Sequence, residues 1–158
     1  MAAKGAFGKL SAEANNLLVS RYRVPEPPRL AFAELVAAYA TGSVDVSDGL
    51  VADAGHIAEA SDVKLVIHAK DVPLSAIGGA YVSNAKATLS ALLTGGDDYQ
   101  TLFTASASAR AEIERSGQTV TRIGFVEQGA GVNVLDASGA EMAFESAGWT
   151  HFSGPAEA

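Results

Sequence analysis

Cysteine is absent from the 158 residues, which excludes disulfides, thiolate nucleophiles and cysteine-based zinc sites. Long apolar runs are absent too. No window approaches the ~20 consecutive apolar residues of a membrane span, and Met1 to Phe7 carry no apolar run of signal-peptide length. A cytoplasmic chain with no membrane partner is the resulting expectation. Positive charge is sparse: 11 Lys and Arg stand against 18 Asp and Glu, a net charge of −7. Lys4, Lys9, Lys64, Lys70 and Lys86 are scattered, so a nucleic acid would find no basic patch to bind. The sequence also lacks GxxxxGK[ST] and GxSxG, which excludes an ordinary P-loop kinase and a serine hydrolase of the nucleophile-elbow type.

What is present supports one domain. A chain of this length with 48% hydrophobic side chains can bury roughly 70% of its unfolded surface. Ser11 to Val24 reads as a short helix closed by Pro25-Glu26-Pro27-Pro28, so residues 1–28 are expected to form an N-terminal helix and linker. Leu30 to Tyr39 reads as a second helix ended by the turn residues Thr41-Gly42, and Ser43 to Val46 as a short strand. Leu50, Ala54, Ile57 and Ala58 lie at helical spacing within a helix expected from Asp48 to Ala60. Val63 to Ala69 is too continuously apolar for a half-exposed strand, which predicts cover on both faces.

Beyond Gly78-Gly79, Tyr81 to Leu93 reads as a helix with Gly95-Gly96 in C-cap position. Tyr99 to Ala105 follows as a strand and Ala107 to Ser116 as a helix. A closing pair of neighbouring strands, Val120 to Val126 and Val132 to Leu135, comes with turns at Gly129-Ala130-Gly131 and Asp136-Ala137-Ser138-Gly139. Alternating strands and helices predict an α/β (α+β) fold, a mixed sheet covered by helices.

Two segments concentrate carboxylates. Asp45 and Asp48 flank Ser47 at a strand-to-helix junction, where a helix N-terminus favours negative charge such as phosphate. Magnesium takes one or two carboxylates and completes its octahedron with water and phosphate oxygens. The competing reading makes Ser47 a helix N-cap and Asp48 a first-turn complement to the helix dipole. Gly95-Gly96-Asp97-Asp98-Tyr99 joins a helix to a strand; its aspartates could hold a cation or a substrate amine, or simply form a polar turn. His56, His68 and His151 show no carboxylate at ligand spacing on a common face and read as surface or packing residues. Trp149, the only tryptophan, could be core or could stack on a flat heteroaromatic ring.

In order and spacing, Asp45-Val46-Ser47-Asp48-Gly49-Leu50, Asp53-x-x-His56-Ile57, Gly95-Gly96-Asp97-Asp98-Tyr99 and Gly148-Trp149-Thr150-His151-Phe152 together resemble the thiamine-monophosphate kinases. The likeness runs from about Arg21 over nearly the whole chain. It implies the C-terminal domain of the aminoimidazole ribonucleotide synthetase-like superfamily, an α/β sandwich expected over residues 29–153, with 154–158 as a loose tail. It further implies that Asp45 and Asp48 bind magnesium, that Ser47 touches ATP, and that Asp97 and Trp149 contact thiamine monophosphate. Asp97 stands where the family carries a glutamate, one methylene longer.

The reaction implied is transfer of the γ-phosphoryl group of ATP, with Mg2+, to thiamine monophosphate, giving thiamine diphosphate. No residue is assigned as a general base, because a phosphate acceptor with a second pKa near 6 is already largely dianionic. The resemblance places the start of the chain at the interdomain linker. The N-terminal domain of such kinases is therefore expected as a missing partner, with a homodimer built mainly there and little activity in its absence. The alternatives are another ATP-dependent superfamily member, of the selenophosphate synthetase or aminoimidazole ribonucleotide synthetase type, and a non-catalytic acidic binding or assembly module.

Overall fold

The computed structural model describes residues 12–24, 30–76, 78–79 and 86–144. The linker prolines, the start of the helix expected from Tyr81, the motif containing Trp149, His151 and the tail 154–158 all lie outside the described residues. Helices α1 (Ala12–Arg23) and α2 (Leu30–Tyr39) agree with their expected positions. They are followed by β1 (Ala40–Asp45), α3 (Leu50–Ser61), β2 (Lys64–His68), α4 (Lys86–Leu93), β3 (Thr101–Ala105), α5 (Arg110–Arg115), β4 (Gly124–Glu127) and β5 (Gly131–Leu135). Short 3-10 turns cover Ala69–Asp71 and Ala107–Ala109. The latter takes up the first turn of the helix expected from Ala107.

The strands form two sheets rather than one. β1 pairs antiparallel with β3, while β2 lies between β4, antiparallel to it, and β5, parallel to it. The mixed character predicted from the pattern is present in the second sheet. Thr41 and Gly42 do not end α2 in a turn: the chain enters β1 at Ala40, across a register shift between Ala40 and Gly42. Pairing with β3 decides this, since Thr104 lies opposite Gly42 and its hydroxyl is 2.9 Å from that of Thr41. The last two strands flank β2 instead of pairing with each other. Residues 128–130 carry the chain across the start of β2, with Gly129 beside the Lys64 side chain.

Helix α3 is the common core element, contacting β1 and β3 of one sheet and β2 and β5 of the other. Val51, Ala54, Ile57 and Ala58 are buried on it and pack with Leu65, Ile67, Leu93 and Val134. Small Ala54 and Ala58, 0% and 1% exposed, let both sheets approach the helix. Burial of each large aliphatic side chain in such a core contributes about 1.5–3 kcal/mol. Leu65, Val66 and Ile67 are buried in succession, so β2 is covered on both faces, as its unbroken apolar run requires. The Asp136 turn also forms: its Oδ1 accepts from the Ser138 and Ala140 amides.

Candidate functional site

The two acidic segments meet, and backbone pairing brings them together. β1 and β3 pair from Ala40–Ala105 to Asp45–Thr101, and the ladder runs on into the loops beyond. The Val46 amide donates to the Gln100 carbonyl (2.7 Å), the Tyr99 amide to Val46 (2.9 Å) and the Asp97 amide to Ser47 (2.9 Å). Asp45 is exposed at the end of β1, Ser47 and Asp48 are half-buried, and Asp97 and Asp98 are exposed on the facing loop.

Glycine is required at two points of this junction. Gly49 sits at φ 123°, and a Cβ there would lie 2.7 Å from the Thr94 carbonyl oxygen at the end of α4. Gly96 has an ordinary φ, but its Cβ would lie 2.2 Å from the Ser47 carbonyl oxygen. Gly95-Gly96 therefore serves close backbone approach; neither residue takes the left-handed conformation of a C-cap glycine. Asp97 and Tyr99 do adopt positive φ, 69° and 51°, which costs non-glycine residues energy and holds the loop in an unusual shape. The Tyr99 hydroxyl donates to Asp97 Oδ1 (3.1 Å). Partial burial of its carboxyl group, and then the neighbouring Asp97 carboxylate, raise the Asp98 pKa.

Ser47 is not the N-cap of α3, and Asp48 is not in its first turn. Gly49 occupies the N-cap without a side-chain cap bond, because its extended, positive-φ backbone starts the helix at Leu50. The capping comes from inside. Asp53, 2% exposed, turns back so that its Oδ2 accepts the amides of Ser47 (3.0 Å), Asp48 (3.0 Å) and Gly49 (3.2 Å). The signal in the sequence was an acidic residue in the first helical turn, the mark of a reciprocal cap. Its place in an otherwise apolar buried stripe concealed that role.

Asp48, Asp53 and His56 bring one ligand-type atom each within 4.8 Å of one another. The expectation that no histidine has a carboxylate at ligand spacing fails here, since Asp53 and His56 are three apart on α3 and the loop folds Asp48 onto them. Asp45 stands outside this group. An open hollow lined by Asp62, Val63 and residues 126–130 lies at the other end of α3, away from these loops.

No protein-family profile matches the chain. It is 38% identical over 136 residues to thiamine-monophosphate kinase of Aquifex aeolicus, covering 85% of this chain and 41% of that protein. A solved structure of AaThiL complexed with AMPPCP and TMP superposes with a TM-score of 0.73 at 36% identity, covering 91% of this chain and 44% of that one. Over most of its own length the chain is related to part of the thiamine-monophosphate kinases. It spans about two fifths of the length of the curated relatives it matches. The E. coli hydrogenase maturation protein HypE, at 15% identity and a TM-score of 0.54, shares the aminoimidazole ribonucleotide synthetase-like fold alone. No helix among the described residues is long and apolar enough to cross a membrane.

Proposed function

We propose that this chain supplies the C-terminal domain of a thiamine-monophosphate kinase, acting with ATP and Mg2+ on thiamine monophosphate to give thiamine diphosphate. The observation that carries this reading is the joining of the two aspartate segments along one edge, through the Asp97–Ser47 and Tyr99–Val46 backbone bonds, in a chain related to these kinases over most of its length. Residues 29–153 constitute the domain, after a helix and linker at 1–28 and before a tail at 154–158. More than half of each relative's length lies outside the match, and an N-terminal domain and a homodimer belong to the same proposal. So does a cytoplasmic location.

The donor set fits a divalent cation. Asp48 and Asp45 offer carboxylate oxygens, the hard ligands magnesium prefers, and Asp48 stands beside a carboxylate and an imidazole. Magnesium, when bound, neutralises phosphate charge. In this reading Asp45 and Asp48 hold the cation and Ser47 contacts ATP. Asp97, oriented by the Tyr99 hydroxyl, contacts the substrate, and Trp149 stacks on its ring. Phosphoryl transfer depends mostly on positioning and charge neutralisation, and a rigid, hydrogen-bonded loop pair provides the positioning.

The test is a titration of thiamine monophosphate into the chain with magnesium, followed by Trp149 fluorescence. Saturable quenching that Asp97→Ala weakens, together with Mg-linked nucleotide binding lost in Asp45→Asn and Asp48→Asn, is the expected result. Binding unaffected by all three substitutions would favour a non-catalytic acidic module.

A further inference from the structure

Asp53 is the only buried charged side chain among the described residues. A carboxylate removed from water is tolerated only when hydrogen bonds replace its hydration, and three amides converge on one of its oxygens. Those amides belong to Ser47, Asp48 and Gly49, the loop that leads into α3, and successive amides pointed at one place form a concavity that suits an anion. The protein has filled that anion site with its own carboxylate.

Resting on the kinase reading above, we propose that Asp53 is a positioning residue with two linked effects. It pins the 47–49 loop so that Asp48 is presented in a fixed place for a cation, and it occupies the three amides of that loop so that substrate phosphate cannot use them. Phosphate therefore reaches this edge only through a divalent cation. Tethering by the Asp97–Ser47 and Tyr99–Val46 bonds fixes the loop from its other side, so release of Asp53 loosens the loop without unfolding the β1–β3 ladder.

Three measurements on the whole chain test this: amide hydrogen exchange, Mn2+ binding by electron paramagnetic resonance, and pyrophosphate binding by calorimetry with and without Mg2+. In the wild type the Ser47, Asp48 and Gly49 amides exchange slowly and pyrophosphate binds only with Mg2+. Asp53→Asn speeds exchange at those amides at least tenfold and weakens Mn2+ several-fold, whereas Asp48→Asn removes Mn2+ binding and leaves their exchange slow. If Asp53→Asn fails to fold, Asp53→Glu keeps the charge on a longer arm and is expected to show the same direction of change.

Unchanged exchange in the folded Asp53 variants would overturn the proposal. So would a lowered melting temperature with Mn2+ affinity intact, the mark of a merely structural role. Mn2+ loss as complete as in Asp48→Asn with exchange unaltered would make Asp53 a ligand instead, and metal-free pyrophosphate that slows the wild-type amides would show the loop amides to be open to phosphate. A wild type that binds neither Mn2+ nor Mg–pyrophosphate defeats the kinase reading and, with it, the cation half of this proposal. The exchange data then still decide whether Asp53 holds the loop amides.

Discussion

Gly96→Ala is the sharpest probe of the loop junction. A Cβ at position 96 meets the Ser47 carbonyl oxygen at 2.2 Å, the Ser47 carbonyl carbon at 3.1 Å and the Asp48 carbonyl carbon at 3.3 Å. All three are backbone atoms, so no side chain can rotate away; the two loops must part by about 1 Å to restore ordinary contact. Overpacking of this kind costs typically about 1–3 kcal/mol, and stretching the Asp97–Ser47 hydrogen bond, now 2.9 Å, adds about 0.5–1.5 kcal/mol. The sum is a destabilisation of about 2–4 kcal/mol, or a fall in Tm of roughly 5–15 °C for a chain of this size.

Urea denaturation followed by circular dichroism measures the effect. Gly55→Ala is the internal control, because nothing lies within 4 Å of a Cβ there and the position is inside α3. Alanine at that point should stabilise by about 0.5–1 kcal/mol. If Gly96→Ala unfolds within about 0.5 kcal/mol of wild type, the range of an ordinary surface change, the two loops are not in the contact described.

Two further outcomes concern the site's charge and its support. Partial burial of the carboxyl group, and then the Asp97 carboxylate, hold the Asp98 pKa above the ordinary 3.8, so the folded state favours the protonated form; the resulting stabilisation is full below about pH 3.8 and is lost as pH rises through the folded pKa. Asp98→Asn should therefore stabilise the chain at neutral pH, and the gain should vanish as the pH falls towards 3.8; a gain independent of pH in parallel melts would contradict this. Leu93, 2% exposed at the end of α4, supports the approach to the Gly95-Gly96 loop, and Leu93→Ala should cost about 2–5 kcal/mol in urea denaturation. A loss under about 1 kcal/mol would mean the site can collapse around the missing atoms.

Local periodicity was enough to read α1, α2, α3 and β2 from the chain. An amphipathic stripe such as Leu50, Ala54, Ile57 and Ala58, or a run such as Leu65-Val66-Ile67, carries its burial in its own spacing. The kinship was legible as well, because two short aspartate motifs in the right order distinguish a family even when each alone does not. The tertiary structure decided what depends on distant partners. Thr41 and Gly42 became strand because β3 offered a ladder; β4 and β5 were separated because β2 took the place between them.

The site divides in the same way. Asp45, Ser47, Asp48 and Asp97 could be singled out from composition and motif, but their meeting rests on backbone bonds between segments about fifty residues apart. The role of Asp53 was hidden for a related reason. In sequence it is one acidic residue on a helix face, and only the folded loop turns three amides towards its oxygen. Residue types and spacing are local properties, set by the chain itself. Desolvation and the convergence of donors are properties of the packed space around an atom, and those exist only once the chain has folded.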